Sequence, residues 1–191
     1  MDLLLMVFVR NAVLGKVKTR LAATMGEQKA LEIYLSLLHY TRHISREISA
    51  QKVVYYSDKV EENDVWFKEG FQQKLQSGID LGERMKNAFQ EQFDAGFSKI
   101  IIVGSDCLEL TSTIIENAFS ILDSKDVVLG PAADGGYYLL GMKKTHPSFF
   151  ENKLWGSSTV MAATLQNIKD EKLSFELLPI LNDIDEEKDL R

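Results

Sequence analysis

A chain of 191 residues with 45% apolar and 26% charged side chains can bury one core of ordinary size, which excludes intrinsic disorder and fibrous structure. Its 28 Asp and Glu outnumber 22 Lys and Arg, a formal net charge of −6. That balance argues against nucleic acid as a partner and leaves only local basic clusters to hold an anion. A single cysteine, Cys107, excludes an internal disulfide and any multi-cysteine zinc or iron–sulfur centre.

The chain opens on an apolar run, Met1 to Val9, about half the length that a membrane span requires. It has no basic segment or small-residue cleavage site of a secretory signal. It reads as a buried first strand, Leu3 to Val9, of a cytoplasmic protein without a membrane span. Further strands are expected at Val53–Tyr56, Ile100–Val103, Val127–Leu129 and Tyr137–Leu140. The first four of these five runs are rich in Val, Ile and Leu and do not alternate with polar residues, the pattern of strands covered on both faces. Helices are expected between them. Ala30, Ile33, Leu37, Tyr40, Ile44 and Ile48 recur at three and four residues. Gly82 to Phe93 puts Met85, Ala88, Phe89 and Phe93 on one face. Thr111 to Leu122 and Ser157 to Ile168 open on Ser/Thr caps. The alternation predicts an α/β fold, a three-layer α/β/α sandwich on a mainly parallel, mixed sheet. No repeat, low-complexity tract or linker divides it, so residues 1–191 read as one domain.

In such sheets ligands lie beyond the carboxyl ends of the strands, and four loops there carry chemistry. Arg10 to Leu21 holds four cations, Arg10, Lys16, Lys18 and Arg20, around Gly15 on the way into a helix. This is either a phosphate cradle or a solvated basic helix start. Cations at a helix N-terminus oppose the dipole, which favours the first reading. The segment is not a Walker A loop, because Arg10 and Val17 stand where that motif needs Gly and Ser/Thr. Gly104-Ser105-Asp106-Cys107 follows a buried strand, and an Asp there needs a cation or a helix end to cap. Cys107 reads as a buried filler. Gly130 to Tyr138 contains Asp134-Gly135-Gly136, either a plain hairpin turn or a place of close backbone approach to a ligand. Near the end, Asp183 and Asp185 fall on one side of Ile184 if the segment is extended. Arg84 follows a glycine-punctuated turn in which Asp80 could cap the next helix. His39 and His43 read as surface or interhelical residues, and His146 has no assigned role. Trp66 and Trp155 read as packing residues, Trp155 also as a border of an acceptor site with Ser157. The chain has no G-x-S-x-G, H-E-x-x-H or G-x-G-x-x-G segment.

Phe8 to Leu21 resembles the F-x-K-x-P-x-x-G-x-V-K-T-R-L signature of the DUF2064 family. The resemblance continues through Gly78-x-Asp80-Leu81-Gly82-Glu83-Arg84-Met85, Gly104-Ser105-Asp106-Cys107, Gly130-Pro131-Ala132-x-Asp134-Gly135-Gly136-Tyr137-Tyr138-Leu139-x-Gly141, Trp155-x-Ser157-Ser158-x-Val160 and Asp183-Ile184-Asp185. Departures are Arg10 for Lys, Ala12 and Leu14 for two prolines, Leu108-Glu109 for Pro-Gly and Glu186-Glu187 for Thr-Pro. The resemblance implies the glycosyltransferase-A-like, Rossmann-like fold of nucleotide-diphospho-sugar transferases. It implies a nucleotide or nucleotide-sugar and a small-molecule acceptor as partners, and Mg²⁺ or Mn²⁺ as cofactor. On that basis Asp106 and Asp185 are expected to hold the metal. Arg10, Gly15, Lys18, Arg20, Arg84, Ser105 and Asp106 are expected at the nucleotide. Asp134, Gly135, Gly136, Trp155 and Ser157 are expected at the acceptor. Lys18 and Arg20 would stabilise charge in the transition state, with Asp134 the candidate general base. Glycosyl transfer from a nucleotide-diphospho-sugar is the expected reaction. Guanylyltransferase-like transfer of a nucleoside monophosphate with pyrophosphate release is the alternative, and a non-catalytic nucleotide-binding protein the second.

Overall fold

Along β1 (Leu3–Val9) successive side chains point to opposite faces of the sheet. Both faces are covered: Leu5, Val7 and Val9 join one buried cluster, Leu4, Met6 and Phe8 another. An unbroken apolar run is the sequence that such a strand requires. The computed structural model describes residues 2–62 and 64–190; Met1, where the apolar run begins, lies outside them. After β1 the chain forms α1 (Thr19–Met25), breaks at Gly26 and continues as α2 (Glu27–Arg46), β2 (Gln51–Tyr56), α3 (Val65–Lys68) and β3 (Gln72–Leu75). It then forms α4 (Leu81–Asp94), β4 (Lys99–Val103), α5 (Ser112–Ile121), β5 (Val127–Pro131), β6 (Tyr137–Met142), α6 (Val160–Asp170) and β7 (Phe175–Leu177).

The seven strands lie in the order β3-β2-β1-β4-β6-β5-β7. All neighbouring pairs are parallel except those of β6, which runs antiparallel to β4 and β5. The expected mixed, mainly parallel sheet is thus present. One face packs on α2, α3 and α5 through Ile44, Trp66, Ile115 and Phe119. The opposite face packs on α4 and α6 through Met85, Phe89, Met161 and Ile168. Three layers result because each helix buries one apolar stripe.

Differences from the sequence expectations lie at the edges. β3 and β7 have no counterpart among the expected strands. Both are terminal strands with a single neighbour each, and the sequences Gln-Gln-Lys-Leu and Phe-Glu-Leu are too polar or too short to stand out. The helix expected from Ser157 starts at Val160, because Ser157 spends its hydroxyl on Thr159 Oγ1 at 2.7 Å in the preceding turn. Ile48 lies just past the end of α2, where it is buried without being helical.

The topology fixes the functional edge. From β1 the chain moves outward to β2 and β3, then returns to the other side of β1 to form β4. That reversal opens a crevice beyond the carboxyl ends of β1 and β4. Because β6 is antiparallel, the β5–β6 turn reaches the same edge.

Candidate functional site

Three segments far apart in sequence meet in the crevice. The first is the loop after β1. Asn11, 5% exposed, pins it to the segment after β2: its Oδ1 accepts from the N–H groups of Asp58 and Lys59 at 3.0 and 3.2 Å. Its Nδ2 donates to Lys59 O at 2.9 Å and Glu61 Oε1 at 3.0 Å. Asn11→Ala would leave two backbone donors unpaired in a partly buried place. It is expected to lower stability by about 2–3 kcal/mol, read as a lower midpoint at unchanged slope in urea denaturation. An unchanged midpoint would mean that the loop holds itself. Tyr34 of α2 fixes the next point, its hydroxyl accepting from Arg10 N–H at 2.8 Å and donating to Arg10 C=O at 3.0 Å. That hydroxyl lies 3.5 Å from Ser105 Oγ. Burial, more than any neighbour, pushes the Tyr34 phenol up to about 12.

Val17 then turns into the core and Lys18, at φ 47 and ψ 48, starts α1 with its side chain 5% exposed. Its Nζ lies 2.7 Å from Asp106 Oδ1, at the end of β4, and 2.9 Å from Asp185 Oδ1, near the end of the chain. Burial alone would push Lys18 down; the two carboxylates outweigh it and hold the ammonium above the ordinary lysine value. Arg20 Nη1 stands 4.0 Å from Asp185 Oδ2 on a mostly exposed side chain.

The C-terminal segment is tied in by its backbone, Ile184 N–H donating to Asp106 C=O at 2.8 Å. Ile184 is buried with Leu21 and Leu37. Asp189 Oδ2 accepts from the N–H groups of Asp185 and Glu186. Asp183 and Asp185 both face the cavity on either side of buried Ile184. Asp183 is pushed up to about 7, first by burial and then by the charges of Asp106, Asp134 and Asp185. Four carboxylates, Asp106, Asp134, Asp183 and Asp185, thus act on one another across the crevice, with Lys18 between two of them and Arg20 4.0 Å from Asp185.

On the far side, Gly136 N–H donates to Asp134 Oδ1 at 2.8 Å, which closes the β5–β6 turn. Trp155 meets Tyr137 edge-to-face at 6.5 Å and lies over Gly82, where an added Cβ would come 2.3 Å from Trp155 Nε1. At α4, Asp80 caps the helix through Glu83 N–H at 2.8 Å. Arg84 Nε donates to Gly78 C=O at 3.1 Å and its Nη1 to Gln76 Oε1 at 3.4 Å.

The whole encloses a cavity of about 1000 Å³. Of the residues expected in a site, Arg10, Lys18, Arg20, Arg84, Ser105, Asp106, Asp134, Gly136, Trp155, Ser157 and Asp185 line it. Gly15 and Gly135 are not among its lining residues. Gly15 turns the β1 loop at φ 74 beside the Glu27 carboxylate, and Gly135 packs against Ser158. Asn11, Tyr34, Gln76, Tyr137 and Asp183 also line the cavity, beyond the expected set. Two of these stand in stretches that the sequence marks, Asp183 by its alternation with Asp185 and Tyr137 in the Gly130–Tyr138 segment. Cys107 is buried and its thiol pushed up to about 11 by that burial, so it is no thiolate. Trp66 is packed edge-to-face on Phe71. His146 is buried against Glu171 Oε2 at 2.6 Å, away from the cavity.

Among the described residues, no three His, Cys, Asp or Glu side chains form a ready-made metal cage. The donor chemistry nevertheless suits a hard cation: two carboxylate oxygens converge on one positive centre, and Mg²⁺ commonly takes one or two carboxylates, completing its shell with phosphate and water. No helix among the described residues is long and apolar enough to cross a membrane.

Residues 40–157 match the family described as "Uncharacterized protein conserved in bacteria (DUF2064)". A crystal structure of a "putative nucleotide-diphospho-sugar transferase" from Desulfovibrio desulfuricans G20 superposes with TM-score 0.91 at 31% identity, covering 100% of this chain and 85% of that one. The inositol-1-phosphate CTP transferase from T. maritima is similar at TM-score 0.62 and 15% identity, over 98% of this chain and 92% of that one. Rv0371C from Mycobacterium tuberculosis H37Rv, crystallised as a complex with manganese, gives TM-score 0.60 at 12% identity over 100% and 97%. The last two likenesses concern the fold. No curated protein sequence matches the chain.

Proposed function

This chain belongs to the DUF2064 family, and from that premise we propose that it is a metal-dependent transferase acting on a nucleotide, with a nucleotide-diphospho-sugar as donor. The observation that carries the reading is the meeting of Lys18, Asp106 and Asp185 at the carboxyl edge of the sheet. Substitution at a sugar carbon bonded to a diphosphate leaves negative charge on phosphate oxygens. Preorganised cations in a crevice are what stabilises such charge. Asp106 and Asp185 would hold Mg²⁺ or Mn²⁺, which when bound supplies positive charge at the leaving diphosphate. Lys18 and Arg20 would pair with phosphate oxygens, and Arg10, Arg84 and Ser105 would line the nucleotide. The acceptor would lie between Trp155, Ser157, Gly136 and Asp134, with Gly135 shaping the turn from behind. Asp134 is the candidate to take the proton from its hydroxyl.

Transfer of a nucleoside monophosphate with release of pyrophosphate is the second reading. Arg10, Lys16 and Arg20 all border the cavity and together could match a triphosphate, and a CTP transferase shares the fold. A nucleotide that saturates the native state at 100 times its dissociation constant should add about 2.7 kcal/mol of stability. For a chain of this size that is a rise of about 5–10 °C in Tm, to be sought with NTPs, NDPs and NDP-sugars in Mn²⁺. Free NDP released from an NDP-sugar supports glycosyl transfer, and pyrophosphate released from an NTP the alternative. If no nucleotide moves Tm, the transferase reading fails.

A further inference from the structure

The Lys18 ammonium is within hydrogen-bond distance of both carboxylates, and its side chain is 5% exposed. A divalent ion held by the same two oxygens needs the place that the ammonium fills, and two cations cannot share it against their mutual repulsion. Resting on the transferase reading, we propose that Lys18 is an internal competitor of the metal, occupying the Asp106–Asp185 pair until a nucleotide phosphate gives the ammonium another anion.

Two further features fit a residue poised to move. Lys18 adopts φ 47 and ψ 48, a left-handed conformation that is unfavourable for a side-chain-bearing residue and persists only where its surroundings impose it. It stands at the junction between the β1 loop and α1, and no side chain caps that helix start. Asp134 and Asp183 line the same cavity as the pair, so the cavity offers further oxygen donors to a cation that replaces the ammonium. Metal and nucleotide should then bind synergistically. Metal alone should bind weakly, since a site open in one-tenth of the molecules has an apparent Kd about tenfold weaker than its intrinsic value.

The test is Mn²⁺ titration without nucleotide, followed by loss of the free-ion EPR signal. Lys18→Met and Lys18→Gln are expected to bind Mn²⁺ about tenfold more tightly than wild type, or better. Arg20→Met is the control for simple loss of charge, because Arg20 is mostly exposed and 4.0 Å from Asp185; it should gain less than about threefold, as exposed charges are screened. Lys18 variants that bind no tighter than Arg20→Met would overturn the proposal. Adding Asp106→Asn to Lys18→Met should abolish the gain. If the double variant keeps tight Mn²⁺ binding, the ion sits elsewhere and the assignment of Asp106 to the metal fails instead. A measurement on the unaltered protein covers the case in which the variants do not fold. Saturating Mn²⁺ should at least double the rate of reductive methylation of Lys18, read by mass spectrometry, and an unchanged rate overturns the proposal.

Discussion

Asp106→Asn should lower nucleotide-dependent turnover by on the order of 10²–10³, the usual effect of removing one electrostatic stabiliser, while leaving the protein folded. The substituted side-chain amide can still accept from Lys18 Nζ through its oxygen, and the backbone contact from Ile184 N–H to the carbonyl at this position is untouched. What is lost is the negative charge at the end of β4, hence one of the two oxygens proposed to hold the metal. The measurement is product release, NDP from an NDP-sugar or pyrophosphate from an NTP, beside a thermal melt. A variant that melts like wild type and loses activity fits a charge used in the reaction. One that keeps activity within about threefold removes Asp106 from the mechanism.

The second large effect is on stability. Gly135→Ala is expected to cost about 2–5 kcal/mol, a sum of about 1–2 for a side chain at positive φ and about 1–3 for overpacking. Gly135 has φ 91, and an added Cβ would lie 2.2 Å from Ser158 O and 2.6 Å from Ser158 Cα. These are backbone atoms, which cannot swing aside. Gly135 C=O also accepts from Met161 N–H at 3.0 Å, so the strain would pass into the first turn of α6. Gly156→Ala is the control. At φ 79 it has nothing within 4 Å of an added Cβ and should cost only the conformational part, about 1–2 kcal/mol. Denaturant melts of the two variants separate the contributions. Equal losses would mean that the Ser158 contact relaxes at no cost.

Both expectations depend on groups brought together from distant parts of the chain, and here sequence and structure divide. The apolar runs at Leu3–Val9 and Ile100–Val103 determine buried strands, because a strand with helices on both faces needs apolar residues at every position. The helical stripes of α2 and α4 are legible for the matching reason. Edge strands β3 and β7 are not, since one neighbour and an exposed side impose no such pattern. The cations after β1 and the acids at 106, 183 and 185 could be recognised as chemically loaded loops. Their partners could not, because an ion pair between residues 18 and 185 leaves no periodicity in either segment. Asn11 and Tyr34 look like ordinary polar loop and helix residues, and only the tertiary fold makes one the pin of a loop and the other the clamp on Arg10. What the chain determined by itself was the layering, through the local cost of leaving apolar surface in water. What the tertiary structure alone decided was which charges share the crevice, because that depends on strand order and on the single antiparallel strand.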